Sequence, residues 1–175
     1  GVLDLSITAG HAFGGDLEAV TVPSALSLAR AVGRADVAIV GMGPGVVGTG
    51  TALGTTAIEV ANVLDGATWL GGRPVMCLRA SDADGRGRHQ GISHHSRTVL
   101  EAVRSEVTVA CPSTLAAAGE GSRHRWQVAD VPDVGAVLDA QGVRVTTMGR
   151  GIDEEPTFFA AAAAAGQVAV DLSRR

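Results

Sequence analysis

The sequence contains no lysine and no tyrosine, and aromatic residues make up only 3% of its 175 residues. It has no apolar run of the ~18 residues that a membrane-spanning helix requires. Its longest apolar stretch, residues 158–165, is mostly alanine. Two cysteines are too few for a disulfide framework. A net charge of −4 argues against binding to nucleic acid or to an anionic membrane surface.

The residues that are present are typical of a folded domain. Apolar residues make up 46% and charged residues 18% of the chain, which excludes intrinsic disorder. A length of 175 residues is usual for one domain, so we expect residues 1–175 to form a single α/β domain. The sequence lacks an apolar signal segment flanked by arginine, and we therefore expect a cytoplasmic protein.

Continuous apolar segments alternate along the chain with segments of helical spacing. This alternation predicts a Rossmann-like three-layer sandwich, in which helices cover both faces of a mostly parallel sheet of about six strands. The predicted strands are 5–9, 36–40, 74–78, 107–110, 126–129 and 143–148. The predicted helices begin near Pro23, Thr56, Ser93, Ser113, Val134 and Asp153, and the last one ends at Gly166.

Nearly all chemically complex loops follow the predicted strands, whereas the connections that precede the strands are short and plain. Ligands of open α/β sheets bind beyond the carboxyl ends of the strands. We therefore expect the working site at that edge, formed by residues 11–18, 41–55, 79–96, 111–114 and 149–153.

The glycine-rich loop 41–55 contains the spacing G-x-G-x-x-G from Gly43 to Gly48. A dinucleotide site is disfavoured because the next helix begins only near Thr56 and the following strand ends in Arg79 instead of an acidic residue. An ATPase P-loop is excluded because Thr49 stands where the essential lysine would be. Glycine amides and threonine hydroxyls can instead hold a phosphate or carboxylate. The candidate ligand-binding residues of this loop are Gly43, Gly45, Gly48, Thr49 and Thr51. The alternative is a loop that only packs against a neighbouring loop or subunit.

The segment 79–97 is locally basic and contains three of the five histidines. Guanidinium groups suit phosphate or carboxylate ligands, so Arg88 and Arg150 are candidate anion-binding residues. A helix N-terminus favours neutral imidazole, which can act as a base. The candidate acid–base residues are His11, Asp16, His94 and His95.

Two questions about the histidines stay open in the sequence. A metal site could draw on His11, Asp16, Glu18, His89, His94 and His95, although no H-E-x-x-H or C-x-x-C spacing supports it. His94 and His95 are adjacent, so on a helix their side chains diverge by roughly 100°. We therefore expect only one of these two to face the glycine-rich loop or Asp16.

Three segments resemble the bacterial Domain of Unknown Function 3866 family. They are residues 11–18, residues 43–51 and the run Arg-His-Gln-Gly-Ile-Ser-His-His at 88–95. Within the second segment, Pro44-Gly45-Val46 fits the P-G-V motif of that family. The resemblance covers most of the chain and implies that it is the C-terminal part of a longer protein. It implies no activity.

Three classes of function are therefore compatible with the sequence. The first is an enzyme that acts on a small anionic substrate through histidine and aspartate acid–base chemistry. The second is a non-catalytic module that binds a nucleotide or metabolite. The third is a domain whose glycine-rich loops pack at a homo-oligomer interface. The sequence identifies neither a cofactor nor a reaction.

Overall fold

The computed structural model of the chain describes residues 3–43 and 45–174, which form a mixed α/β fold. The strands are β1 (Ile7–Ala9), β2 (Leu17–Ala19), β3 (Val75–Cys77), β4 (Ala80–Ser81), β5 (Gly91–Ile92), β6 (Thr108–Cys111) and β7 (Arg125–Val128). The α-helices are α1 (Val22–Ala31), α2 (Glu59–Trp69), α3 (His94–Ala102), α4 (Val134–Ala140) and α5 (Pro156–Ser173). Short 3-10 helices cover Thr56–Ile58, Gly87–His89 and Ser113–Gly119.

The strands form three small sheets instead of the expected sheet of about six strands. The largest is a parallel sheet with the order β3-β6-β7. β1 and β2 form a separate parallel pair, and β4 and β5 form an antiparallel hairpin. The parallel, helix-connected part of the prediction is therefore correct for β3, β6 and β7, and the extent of the sheet is not.

The hydrophobic core covers both faces of the three-stranded sheet. Side chains of a strand alternate between its two faces. Val109 and Cys111 of β6 accordingly pack in one cluster with residues of α2 and α3, while Ala110 packs in a second cluster with Ala164 and Val168 of α5. Helices on both faces are the usual way to bury a parallel sheet.

Two predicted strands are absent from the described residues. In 36–40 the apolar side chains remain exposed, Ile39 to 86%, so the run lacks the packing on both faces that its composition suggested. In 143–148 only Thr147 forms an isolated bridge, to Arg150. Met148 and Gly149 adopt left-handed conformations with φ of 53° and 80°, and the chain turns there.

Capping side chains mark the start of α1, α3 and α4, whereas α2 and α5 begin without one. Thr21, Ser93 and Asp133 each accept a hydrogen bond at the N-terminus of α1, α3 and α4. The expected capping residue Asp153 and the expected end at Gly166 are both wrong for α5. This helix begins at Pro156 and continues through Gly166 to Ser173 because its apolar face, including Ala164 and Val168, stays packed on the sheet.

Candidate functional site

The first histidine of the basic segment, His89, lies on a loop that is closed at both ends. β4 and β5 pair antiparallel, with Ala80 opposite Ile92 and Ser81 opposite Gly91. The amide of Ser93 donates to the carbonyl of Arg79 at 2.8 Å, and the amide of Arg79 donates to Ser96 Oγ at 2.8 Å. Residues 82–90 are therefore held as a loop directly before α3.

Three imidazole rings come together where this loop meets α3. The ring centroids of His94 and His95 are 4.1 Å apart, and those of His89 lie 4.9 Å from His94 and 5.1 Å from His95. His89 belongs to the short 3-10 helix before β5, and the other two occupy the first turn of α3. We call these three residues the histidine cluster.

The hydrogen bonds around the histidine cluster define the tautomer of His89. Arg88 Nε donates to His89 Nε2 at 3.4 Å, so Nδ1–H of His89 donates to Ser93 Oγ at 2.8 Å, and the lone pair of this ring is on Nε2. His95 Nδ1 forms a 3.2 Å hydrogen bond with Thr55 Oγ1, in which either group can be the donor.

The surroundings lower the pKa of two imidazoles of the cluster. Burial, followed by the positive charges of neighbouring histidines and arginines, lowers the pKa of His95 to about 4. Burial and the nearby Arg86 guanidinium also lower the pKa of His89. A neutral imidazole has a lone pair available for a proton or a metal ion.

Two buried carboxylates organise the arginines around the loop. Asp84 accepts hydrogen bonds from Arg86 at 2.9 and 3.0 Å and lies 3.7 Å from Arg79. The Arg86 guanidinium holds the pKa of Asp84 well below its usual range. Glu155, which is fully buried, accepts a 2.6 Å hydrogen bond from Arg150 Nε.

Glu155 also connects the loop to the start of α5. Burial opposes its ionisation, but hydrogen bonds outweigh this effect and lower its pKa. The donors include Ser81 Oγ at 2.7 Å, the amide of Asp82 at 2.8 Å and Arg150. Asp82 in turn accepts from the amide and hydroxyl of Thr157 at 2.8 and 2.7 Å. The N-terminus of α5 therefore supports the loop that carries His89.

An open pocket of about 300 Å³ lies between the glycine-rich loop and the histidine cluster. Its wall is formed by two apolar residues of the loop, two further loop residues with polar atoms, two arginines and two histidines. They are Val46, Val47, Gly48, Thr49, Arg86, Arg88, His89 and His95. Of the two adjacent histidines only His95 lines this pocket, but its ring lies 4.1 Å from that of His94, so the two side chains do not diverge as expected.

Several amides of the glycine-rich loop are used inside the loop itself. The amide of Val47 donates to Thr56 Oγ1, that of Thr49 to the carbonyl of Gly54, and that of Thr51 to Thr49 Oγ1. A Cβ at Gly54 would collide with the hydroxyl of Thr49, so this close approach requires glycine. These internal hydrogen bonds fix the shape of the loop and leave fewer amides for a ligand than the sequence suggested.

The other residues expected at the site have different surroundings. Asp16 accepts hydrogen bonds from the amide and hydroxyl of Ser6 at 2.8 and 2.7 Å, which lower its pKa, and His11 is exposed. Arg150 binds Glu155 instead of facing the pocket. Of the P-G-V motif, Pro44 lies outside the described residues. Seven of the residues expected at the site do not line the pocket. They are Gly43, Gly45, Thr51, His11, Asp16, His94 and Arg150.

The sequence pointed to His89 only as one of six possible metal ligands, because the position of this residue depends on the β4–β5 hairpin.

Comparison of the chain with family models gives a match to the family described as protein of unknown function (DUF3866), over residues 1–166. The chain belongs to the DUF3866 family. This confirms the resemblance drawn from the three motifs, and every residue around the pocket lies within the matched range.

No curated protein and no solved structure matches this DUF3866 chain. Function must therefore be argued from the pocket and the histidine cluster. Among the helices of the described ranges, none has the combination of length and apolar character needed to cross a membrane.

Proposed function

We propose that this DUF3866 protein binds a small anion, a phosphate or carboxylate group, in the pocket between the glycine-rich loop and the histidine cluster. The observation that supports the proposal is the composition of the pocket wall, in which residues of the glycine-rich loop are joined by Arg88 and His95. Guanidinium groups are donors that such anions prefer.

Charge balance favours Arg88 as the main anion-binding side chain. Arg86 shares the pocket wall but is already paired with Asp84, and Arg150 is paired with Glu155. Arg88 donates one hydrogen bond, from Nε to the neutral His89 ring, and its charge has no carboxylate partner among the described residues. The other donors of its guanidinium can therefore serve a ligand.

The lowered pKa of His95, which lines the pocket, favours an enzyme over a passive binding module. His95 lines the pocket and His94 is in contact with its ring. A base next to a bound anion can accept a proton or hold a metal ion that activates the substrate. We therefore propose that the anion is part of a substrate whose reacting group lies near His95.

The test is a calorimetric titration of the chain with inorganic phosphate and, separately, with acetate, in the presence of EDTA. We expect Arg88→Gln to weaken binding roughly 10-fold or more, as for the loss of one charge-assisted hydrogen bond. Arg125→Gln is the matched control, because Arg125 lies on β7 with an exposed side chain paired to Glu106. Equal weakening by both variants, or no saturable binding of either anion, would overturn the proposal.

A second candidate function, self-association, is favoured by the apolar side chains exposed in the N-terminal part of the chain. Phe13, Val20, Ile39 and Leu53 are each more than 70% exposed. Exposed apolar residues in this number often mark an interface. Sedimentation velocity at protein concentrations of about 1–100 μM tests this alternative. A homodimer of ordinary affinity dissociates at the low end of this range and forms at the high end, so the average mass changes.

A further inference from the structure

The histidine cluster has the arrangement of a metal-binding site. One ring nitrogen from each of His89, His94 and His95 lies within 4.8 Å of those of the other two. Nitrogen ligands of a tetrahedral zinc ion, at about 2.0–2.1 Å from the metal, are closer together than this, so small side-chain rotations would complete the site. The backbone of His89 belongs to the 3-10 helix before β5, and those of His94 and His95 belong to the first turn of α3.

Hydrogen bonds at Nδ1 orient two of the three rings. Nδ1–H of His89 donates to Ser93 Oγ, and Nδ1 of His95 is hydrogen-bonded to Thr55 Oγ1. Metal-ligating histidines almost always donate from their second nitrogen, which fixes the tautomer and the orientation of the ring. For coordination through Nε2, His95 would donate from Nδ1 to Thr55, as His89 does to Ser93.

His94 supplies an independent observation. Its Nε2 atom is buried, and within the part of the chain that the structure describes it has no hydrogen-bond partner. A buried polar nitrogen without a partner is costly and calls for an explanation. A metal ion between the three rings would satisfy this atom.

We propose that His89, His94 and His95 bind one divalent transition-metal ion of the zinc class, with an open coordination position toward the anion pocket. Three imidazoles select zinc, copper, nickel or iron over magnesium and calcium, which prefer oxygen ligands. Three neutral protein ligands also leave the ion with its full double charge and a position for water or an anion. This inference goes beyond the proposed anion binding and does not depend on it.

Arg88 is the group that the metal must displace. Its Nε lies 3.4 Å from His89 Nε2, the nitrogen that would coordinate the ion. Metal binding breaks that hydrogen bond and releases the guanidinium into the pocket. Removing Arg88 therefore leaves metal binding intact or tightens it, although the same change weakens anion binding.

The experiment uses untagged, EDTA-treated chain, titrated with Co²⁺ as the optical probe and then with Zn²⁺ in competition. We expect one ion per chain and a visible Co²⁺ spectrum of four-coordinate type. His94→Gln and His95→Gln should each weaken metal binding by more than ~10–100-fold, which is the loss expected when a residue that only hydrogen-bonds a metal ligand is removed. His11→Gln is the matched control, since His11 is exposed and outside the cluster. Arg88→Gln should bind the metal at least as tightly as the natural sequence.

A second measurement does not depend on variants that fold. Addition of Zn²⁺ to the unmodified chain should shift the ring proton signals of His89, His94 and His95 in NMR spectra and leave those of His11 and His124 in place. Absence of one-to-one binding, or unchanged affinity in His94→Gln and His95→Gln, would overturn the metal site. Phosphate titrations in EDTA report separately on the anion pocket, so failure of one proposal is distinguishable from failure of the other.

Discussion

Residues 3–54 and residues 55–174 bury their side chains to very different extents. No described residue in the first region is buried, and apolar side chains such as Ile39 and Leu53 face solvent. Every buried side chain, from Thr55 to Val168, belongs to the second region. The pocket lies between the two, with the glycine-rich loop on one side and the histidine cluster on the other. The histidine side of the site is therefore anchored by a core, whereas the glycine side depends on its own hydrogen bonds.

The largest expected effect comes from making the same leucine-to-alanine substitution in each of the two regions. Leu78 is 2% exposed and Leu53 is 74% exposed. We expect Leu78→Ala to lower the free energy of unfolding by about 4 kcal/mol, because it removes buried contacts and leaves a cavity. Leu53→Ala should change it by less than about 0.5 kcal/mol. Urea denaturation followed by circular dichroism measures both, and an equal loss in the two variants would show that the first region has a core of its own.

A second pair compares two carboxylates whose pKa values are lowered by hydrogen bonds. Glu155→Ala leaves Arg150 and Ser81 without their buried acceptor and should cost about 3 kcal/mol in free energy of unfolding. Asp16→Ala removes hydrogen bonds from the exposed Ser6 and should have a clearly smaller effect. Urea denaturation at pH 7 compares them. The interpretation of Glu155 as the support of the loop fails if Asp16→Ala is the more damaging change.

The pH dependence of stability provides a third comparison, made on metal-free protein in EDTA. The pKa of His95 is lowered to about 4 in the folded chain, against about 6.5 for a free histidine. Between these values the unfolded chain binds the proton and the folded chain does not, so stability falls as the pH decreases from about 6.5 to about 4. His95→Gln should reduce this slope, at most by about 1.4 kcal/mol per pH unit. An unchanged slope would contradict the neutral imidazole, and the exposed His11→Gln serves as the control.

The smallest expected effect concerns the hydroxyl groups of Thr55 and Thr51, which belong to the second and the first region respectively. Thr55 is buried and its hydroxyl bonds to His95, to Val47 and to the amide of Ala57. Thr55→Val should cost about 1 kcal/mol, the usual worth of such hydrogen bonds. Thr51→Val, in the exposed part of the loop, should stay within about 0.5 kcal/mol. Thermal unfolding measures both, and a larger loss for Thr51→Val would mean that the loop itself contributes to the core.

The same comparison explains how much of the fold the sequence could predict. The apolar segments of β3 and β6 contain buried residues, Met76 in β3 and Val109, Ala110 and Cys111 in β6, and sequence pattern identified both. The segment 36–40 is equally apolar but exposed, and composition alone cannot separate the two cases. At Met148 and Gly149 the backbone adopts a left-handed conformation and the chain turns where the last predicted strand would end. The hydrophobic pattern of a sequence does not report such a local conformation.

The candidate site divides in a similar way. The basic segment, Ser93 as helix cap and the proximity of the glycine-rich loop to His95 could all be inferred from residue types and their order. The position of His89 could not, because it depends on the two-residue strands β4 and β5, which are too short to give a periodic signal. Arg150 looked free between its glycines, since the carboxylate that binds it comes from Glu155 at the start of α5.

The contact between Glu155 and the β4–β5 hairpin has a consequence for the order in which the site forms during synthesis. All three histidines leave the ribosome well before Glu155 and Thr157, which hold Ser81 and Asp82 in place. Chains grow at roughly 5–20 residues per second, so the loop waits seconds for its support. The nascent chain therefore carries the three histidines before it can fix their geometry, and the loop with His89 gains its support only when α5 docks.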